Sequence, residues 1–232
     1  MPDSAEVALA PIVVDAVSVR FDGRSVLHDV SITITAQTIA VIGANGSGKS
    51  TFARLLNGLI APSSGSVSVH GLDTVRQRAD VRKRVGFVFT NPDAQILMPT
   101  PAEDLALSLR GRPHAEVAAR VRGTLEMHGL GDHADIPASN LSGGQKQMLA
   151  LASVLIAEPR LIVADEPTTL LDLSNSRRIG DLLLAQAAQV VVVTHDLELA
   201  ARCEVAVLFE DGRITASGAP STVIETYRQA CA

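Results

Sequence analysis

Gly43-Ala44-Asn45-Gly46-Ser47-Gly48-Lys49-Ser50 decides how this sequence is read. The run fits G-x-x-x-x-G-K-[ST], a loop whose glycines let backbone N–H groups close around phosphate oxygens. Its flanks are the required ones. Ahead of it stands Thr38-Ile39-Ala40-Val41-Ile42, an apolar run that suits a strand buried on both faces. Behind it Phe52, Leu55, Leu56 and Leu59 recur at helical spacing, so a helix N-terminus adds its positive dipole end. Lys49 can reach the β- and γ-phosphates, and the Ser50 hydroxyl can ligate Mg²⁺. A Gly-rich turn could match by accident. With 17 glycines but only three lysines (Lys49, Lys83, Lys146) in 232 residues, that accident is rare.

Two later apolar runs share the pattern of the first. Leu161-Ile162-Val163-Ala164 ends in Asp165-Glu166, and Val190-Val191-Val192-Val193 ends in Thr194-His195. In parallel α/β sheets, sites gather at the carboxyl ends of such strands. Asp165 fits a Walker B carboxylate that holds Mg²⁺, directly or through water. Glu166 beside it is placed to polarise an attacking water as a general base. Upstream, Val17, Val19 and Phe21 alternate, as do Val30, Ile32 and Ile34, which predicts half-buried antiparallel strands. Val205–Phe209 and Arg213–Ala216 bracket Asp211-Gly212 and predict a hairpin.

From about residue 91 to 157 the pattern turns helical. Thr100-Pro101-Ala102-Glu103 has capping-box spacing with Pro at the first helical position, followed by Leu105 and Leu109. Val117, Val121 and Leu125 continue a stripe behind Pro113. Pro92, Pro99 and Pro101 stiffen the segment from Asn91 to Pro101, which predicts an ordered loop. The expected organisation is one domain over 1–232, with a helical subdomain at about 91–157 inserted in an α/β core.

Composition narrows the function. Hydrophobic residues make up 47% and charged residues 19%, enough apolar material for a sizeable core. A net charge of −5 and six aromatics argue against nucleic acid as a partner. No stretch approaches the ~18 apolar residues of a spanning helix. Met1-Pro2-Asp3-Ser4-Ala5-Glu6 lacks the basic start of a signal peptide, and two cysteines suit a reducing cytosol.

Leu141-Ser142-Gly143-Gly144-Gln145 brings these observations together. It opens a helix carrying Met148, Leu149, Leu151, Ala152 and Leu155, and Gln145 lies twenty residues before Asp165. With both Walker elements present, the chain resembles the ATP-binding cassette (ABC) ATPases over nearly its whole length. The resemblance implies an α/β P-loop NTPase (RecA-like) core with an N-terminal antiparallel β subdomain and an inserted helical subdomain. It implies ATP and Mg²⁺ held by Gly43 to Thr51, with Ser142, Gly143, Gly144 and Gln145 closing on the nucleotide of another copy. His195 resembles the switch histidine, and Leu170-Leu171-Asp172 the D-loop. Phe21 occupies the place of the aromatic that stacks on adenine; a core phenylalanine is the even alternative.

One position departs from the family. Where Gln usually follows Gly86-Phe87-Val88-Phe89, this chain has Thr90, whose short side chain predicts lost direct reach, bridged by water or by Gln95. The following Asn91-Pro92-Asp93-Ala94-Gln95 resembles the energy-coupling factor (ECF) importers, and Met98-Pro99-Thr100 most resembles their biotin ATPase. That resemblance implies a homodimer on the cytoplasmic face of the membrane, energising separate coupling and substrate-binding subunits. Cobalt or nickel ions, other vitamins, or a non-transport ABC role are the alternatives. Ile96, Leu97 and Met98, followed by Glu103-Asp104, are the expected docking surface for a membrane partner.

Overall fold

The computed structural model describes residues 10–169 and 171–231, so Leu170 and the N-terminal segment read above lie outside the described residues. Strands β1 (Ile12–Phe21) and β2 (Arg24–Ile34) form a hairpin, and β3 (Thr38–Ile42) leads into helix α1 (Lys49–Leu56). Strands β4 (Ser64–Val69) and β5 (Leu72–Asp73) complete an antiparallel sheet of order β2-β1-β4-β5. Helix α2 (Arg78–Arg84) precedes β6 (Val85–Val88). Then come α3 (Pro101–Leu107), α4 (His114–Met127) and α5 (Gly143–Leu155), with short 3₁₀ turns between, before β7 (Leu161–Asp165). Helix α6 (Leu173–Leu184), β8 (Gln189–Val193), α7 (Leu197–Ala201), the hairpin β9 (Val205–Glu210) and β10 (Arg213–Gly218), and α8 (Pro220–Ala230) follow.

The second sheet has order β10-β9-β3-β8-β7-β6. Its five strands from β9 to β6 are parallel, and β10 returns antiparallel at the edge. All residues of β3, β7 and β8 are buried, because helices or the other sheet cover both faces. The pleat divides their side chains. Ile39, Val41, Val163 and Val191 join α1 and the antiparallel sheet in one core, while Ile162, Ala164, Val190 and Val192 pack with the inserted helices. Residues 91–157 therefore share a core with the sheet.

One alternation and one helical stripe read from the sequence change in detail. The inward row of β1 is Ile12, Val14, Val17 and Val19, broken by a register shift between Val14 and Val17 where Ala16 has φ 49°. Phe21, at the strand's end, is 47% exposed, so the core alternative for it is wrong. Leu59 lies beyond α1 and is exposed.

Candidate active site

Val41, Val193 and Asp165 stand in one row across the parallel sheet. The loops that leave β3, β7 and β8 therefore emerge side by side. Between β3 and α1 the backbone needs glycine for two reasons. Gly43 has φ 142°, and a Cβ there would sit 2.1 Å from the carbonyl oxygen of Phe209. Gly48, the N-cap of α1, has φ 101°, and a Cβ would meet Leu27 Cδ2 at 2.6 Å. No side chain caps α1, so the N–H groups of its first turn have no side-chain acceptor.

Lys49 is buried to 5% exposure, and its Nζ donates to the carbonyls of Gly43 and Ala44, both at 2.8 Å. Burial lowers its pKa, against the pull of the Glu166 and Asp165 carboxylates. Ser50 Oγ donates to Asp165 Oδ1 at 2.8 Å, which places the two expected Mg²⁺ ligands in contact. Burial raises the pKa of Asp165, opposed by the Ser50 hydrogen bond and by Arg54, whose guanidinium lies 3.9 Å away. A hydroxyl and a carboxylate are hard oxygen donors of the kind Mg²⁺ takes alongside water and phosphate, so the residues fit that ion.

Glu166 has φ 54°, a left-handed backbone that costs about 1–3 kcal/mol for a residue with a side chain. Its N–H donates to Val193 O at 2.9 Å, which ties it to the end of β8. Three donors converge on one carboxylate oxygen, Oε2: Thr169 Oγ1 at 3.2 Å, His195 N at 3.4 Å and the His195 ring Nδ1 at 2.6 Å. The motif residues meet at a cleft of about 230 Å³ walled by 45–46, 48–51, Val26 and Glu166. A roomier hollow of about 510 Å³ lies among Ala102, Val121, Leu125 and Arg122 in the inserted helices. It holds none of the motif residues, so the smaller cleft is the candidate site.

Neither Phe21 nor the Ser142–Gln145 segment walls this cleft. Ser142 instead N-caps α5 in a full capping box. Its Oγ accepts from Gln145 N at 3.3 Å, and Gln145 Oε1 accepts from Ser142 N at 2.8 Å. Gln145 Nε2 reaches His133 Nε2 at 2.9 Å. Gly144 lies against Asn175: a Cβ there would be 2.8 Å from Asn175 Nδ2, and that amide donates to Asp172 Oδ2 at 3.0 Å. The signature segment and the D-loop aspartate thus meet through one asparagine.

Thr90 keeps a direct link after all. Its Oγ1 donates to the carbonyl of Asp165 at 2.9 Å, which ties it directly to the end of β7. Gln95 does not replace it at the cleft; its amide bonds Phe89 N and Ala150 O. The expected acidic pair is also corrected. Asp104 is buried, and its Oδ1 accepts from Leu97 N and Met98 N, which shapes the loop instead of presenting charge. Leu97 is 71% exposed beside a hollow of about 500 Å³ lined also by Ile96, Met98, Pro99 and Pro137.

The sequence profile described as "ABC transporter" matches residues 27–169. The chain belongs to the ABC transporter family. Among relatives of this ABC ATPase, a Deinococcus radiodurans protein whose description names ABC transporter ATP binding and no cargo is 47% identical over 215 residues. The match covers 92% of this chain and 95% of the relative. The biotin transport ATP-binding protein BioM of Rhizobium etli is 41% identical, covering 94% of this chain and 98% of that one. Among solved structures, cbiO1 from Clostridium perfringens, part of the ABC transporter complex cbiONQ, superposes with a TM-score of 0.82 at 28% identity. That superposition covers 95% of this chain and 93% of the other. The chain is accordingly an ATP-hydrolysing cassette subunit of a transporter. Among the described residues, no helix of this ABC ATPase is long and apolar enough to cross a membrane.

Three residues of the site went unread in the sequence: Thr169, His133 and Asn175. Each is a common polar residue in a turn or helix. Only the fold brings Thr169 to Glu166, His133 to Gln145 and Asn175 to Gly144.

Proposed function

We propose that this chain is the ATPase of an ECF-type importer that carries biotin. It acts as a homodimer at the cytoplasmic face of the membrane, with separate coupling and substrate-binding subunits. The observation that carries the dimer is the placement of Ser142–Gln145 away from the cleft of its own chain. A second copy related by a two-fold axis supplies it, giving two equal sites. Biotin is supported by the BioM relatives and by an ECF transporter ATP-binding protein of Lactiplantibacillus plantarum at 38% identity. Within one domain, residues 91–157 form the helical subdomain that meets the membrane partner, through Leu97 and the hollow beside it.

In hydrolysis, Lys49 and the N-terminus of α1 hold the phosphates, while Phe21, exposed at the end of β1, stacks on the adenine. Ser50 and Asp165 would hold Mg²⁺, whose charge would offset that of the phosphates when bound. Thr169 and His195 occupy Oε2 of Glu166, which leaves Oε1 to take a proton from the attacking water. His195, once it orients Glu166, is the group beside the γ-phosphate that stabilises developing charge.

Affinity purification from detergent-solubilised membranes, combined with labelled biotin uptake, tests this reading. Co-purifying integral membrane chains and uptake lost on Lys49→Ala are expected. Uptake of cobalt or nickel ions in place of biotin would overturn the cargo, and the absence of any membrane partner would overturn the importer.

A further inference from the structure

The side-chain amide of Gln145 is held through both its oxygen and its nitrogen. Oε1 accepts from Ser142 N at 2.8 Å, which closes the capping box of α5. Nε2 lies 2.9 Å from Nε2 of His133. His133 ends the 3₁₀ turn Gly131–His133, and backbone bonds set the place of that turn. His133 N donates to Leu130 O at 3.0 Å, and the next carbonyl, Ala134 O, accepts from Ala102 N of α3 at 3.0 Å. The ring therefore stands on a fixed support.

Hydrogen-bond parity decides where the ring carries its proton. A primary amide has an acceptor oxygen and a donor nitrogen, and the backbone N–H of Ser142 can pair only with the oxygen. Turning the amide over would set its NH₂ against that N–H, with two donors face to face. Gln145 thus meets His133 with its nitrogen, and that nitrogen brings hydrogens. The ring nitrogen facing it must be a bare acceptor, so the ring proton sits on Nδ1. Nδ1 is buried and, among the described residues, finds no acceptor. Leaving that N–H unpaired is costly, and the bond from Gln145 is what the ring gains by this placement.

We infer that His133, in its Nδ1–H form, is a positioning residue for the signature end of α5. It acts through Gln145. By accepting one amide hydrogen it keeps Oε1 on Ser142 N, and the closed box in turn fixes Ser142. Ser142 Oγ accepts from Gln145 N at 3.3 Å and has its own hydrogen left to donate. The end of α5 is then ordered before a second copy arrives, so that cost does not fall on the closing step. This rests on the reading that Ser142–Gln145 completes the site of a second copy.

The test uses full-length chain. Long-range proton–nitrogen NMR correlation of histidine-labelled protein reads the tautomer, with the His133 signals identified by their loss in His133→Gln. The Nδ1–H form is expected; a proton on Nε2, in the neutral ring or in the imidazolium, would overturn the inference. His133→Gln and His133→Asn then separate the bond from packing. The glutamine side chain can put an acceptor oxygen where Nε2 stands, whereas the asparagine amide falls one carbon short. Each is combined with Glu166→Gln. Affinity for a fluorescent ATP analogue and the ATP concentration at half-dimerisation by sedimentation are measured, with melting temperature to show that each variant is folded.

His133→Asn is expected to need roughly fivefold more ATP to half-dimerise, the scale of one lost hydrogen bond, and His133→Gln to stay within about twofold of the parent. Analogue affinity should stay within about twofold in both, because the cleft is a separate site. Parent-like dimerisation of His133→Asn would sink the inference and leave the composite site standing. Equal losses in the two variants would overturn it in favour of plain packing, as would a fall in analogue affinity that matches the loss of dimerisation. Failure of Glu166→Gln alone to dimerise with ATP would sink the composite site, and the inference with it.

Discussion

Helices α1 and α5 both begin at a glycine-rich motif, yet their first turns are treated in opposite ways. The N-cap of α1 is Gly48, which offers no side chain, and the helix is held by the burial of Phe52, Leu55 and Leu56. The N-cap of α5 is Ser142, whose capping box with Gln145 satisfies the end within the chain and contributes about 1 kcal/mol. An uncapped helix end suits an anion supplied from outside. A capped end is already formed and can be presented to another molecule without reorganising. On the function proposed above, the difference separates a site that binds from a surface that completes a partner's site.

The largest expected effect tests the binding half. Glu166→Gln keeps the shape of the carboxylate and the acceptor for Thr169 and His195, but removes the base. Turnover should fall by about 10²–10⁴-fold while ATP binding persists, measured by phosphate release and by nucleotide binding. Unaltered turnover would remove Glu166 from the base role.

A matched pair of glycine substitutions sharpens the contrast at the level of stability. Gly43→Ala forces a Cβ to within 2.1 Å of Phe209 O at φ 142°, so it should cost several kcal/mol and lower the melting temperature sharply. Gly143→Ala, at the start of α5, meets nothing within 4 Å and gains helix propensity of up to ~1 kcal/mol. Its melting temperature should hold or rise slightly. A loss of turnover in that stable protein would show that a partner approaches the bare backbone there.

The smallest effect concerns the bend just beyond β6. Thr90→Val keeps the shape and removes the hydroxyl that bonds Asp165 O. A loss of about 1 kcal/mol is expected, or roughly 2–4 °C in melting temperature for a chain of this size, with ATP affinity unchanged. Thr90→Ser should restore most of it. No change in Thr90→Val would mean that the bond contributes nothing.

Much of this architecture was legible from residue order. The loop 43–50, the strands ending at Ile42, Asp165 and Val193, and the helix opening after Ser142 all lie where the pattern puts them. These features are local: a buried strand needs an unbroken apolar run, a phosphate loop needs glycine at set offsets, and a helix start needs its cap. Thr100 likewise caps α3, although its hydroxyl donates to Glu103 Oε2 at 3.1 Å in place of the reciprocal backbone bond.

What local pattern misread were residues whose partners are distant in sequence. Phe21 continues the alternation of β1 but sits at its exposed end. Asp104 reads as surface charge next to Glu103, yet the fold turns it inward onto two backbone N–H groups. Thr90 reads as too short for direct reach, yet the pairing of β6 with β7 sets its hydroxyl on the carbonyl of Asp165.

By itself, then, the sequence determined the elements and the chemistry they carry, because spacing along one chain is enough to place a cap, a cradle or a buried strand. Only the tertiary structure decided which oxygen of Glu166 is held and which is free, what Gln95 joins, and that the signature motif stands apart from its own cleft. Those are matters of which strand ends lie side by side. Pairing across 115 residues, as from Ser50 to Asp165, is set by the packing of the whole sheet and by no local run.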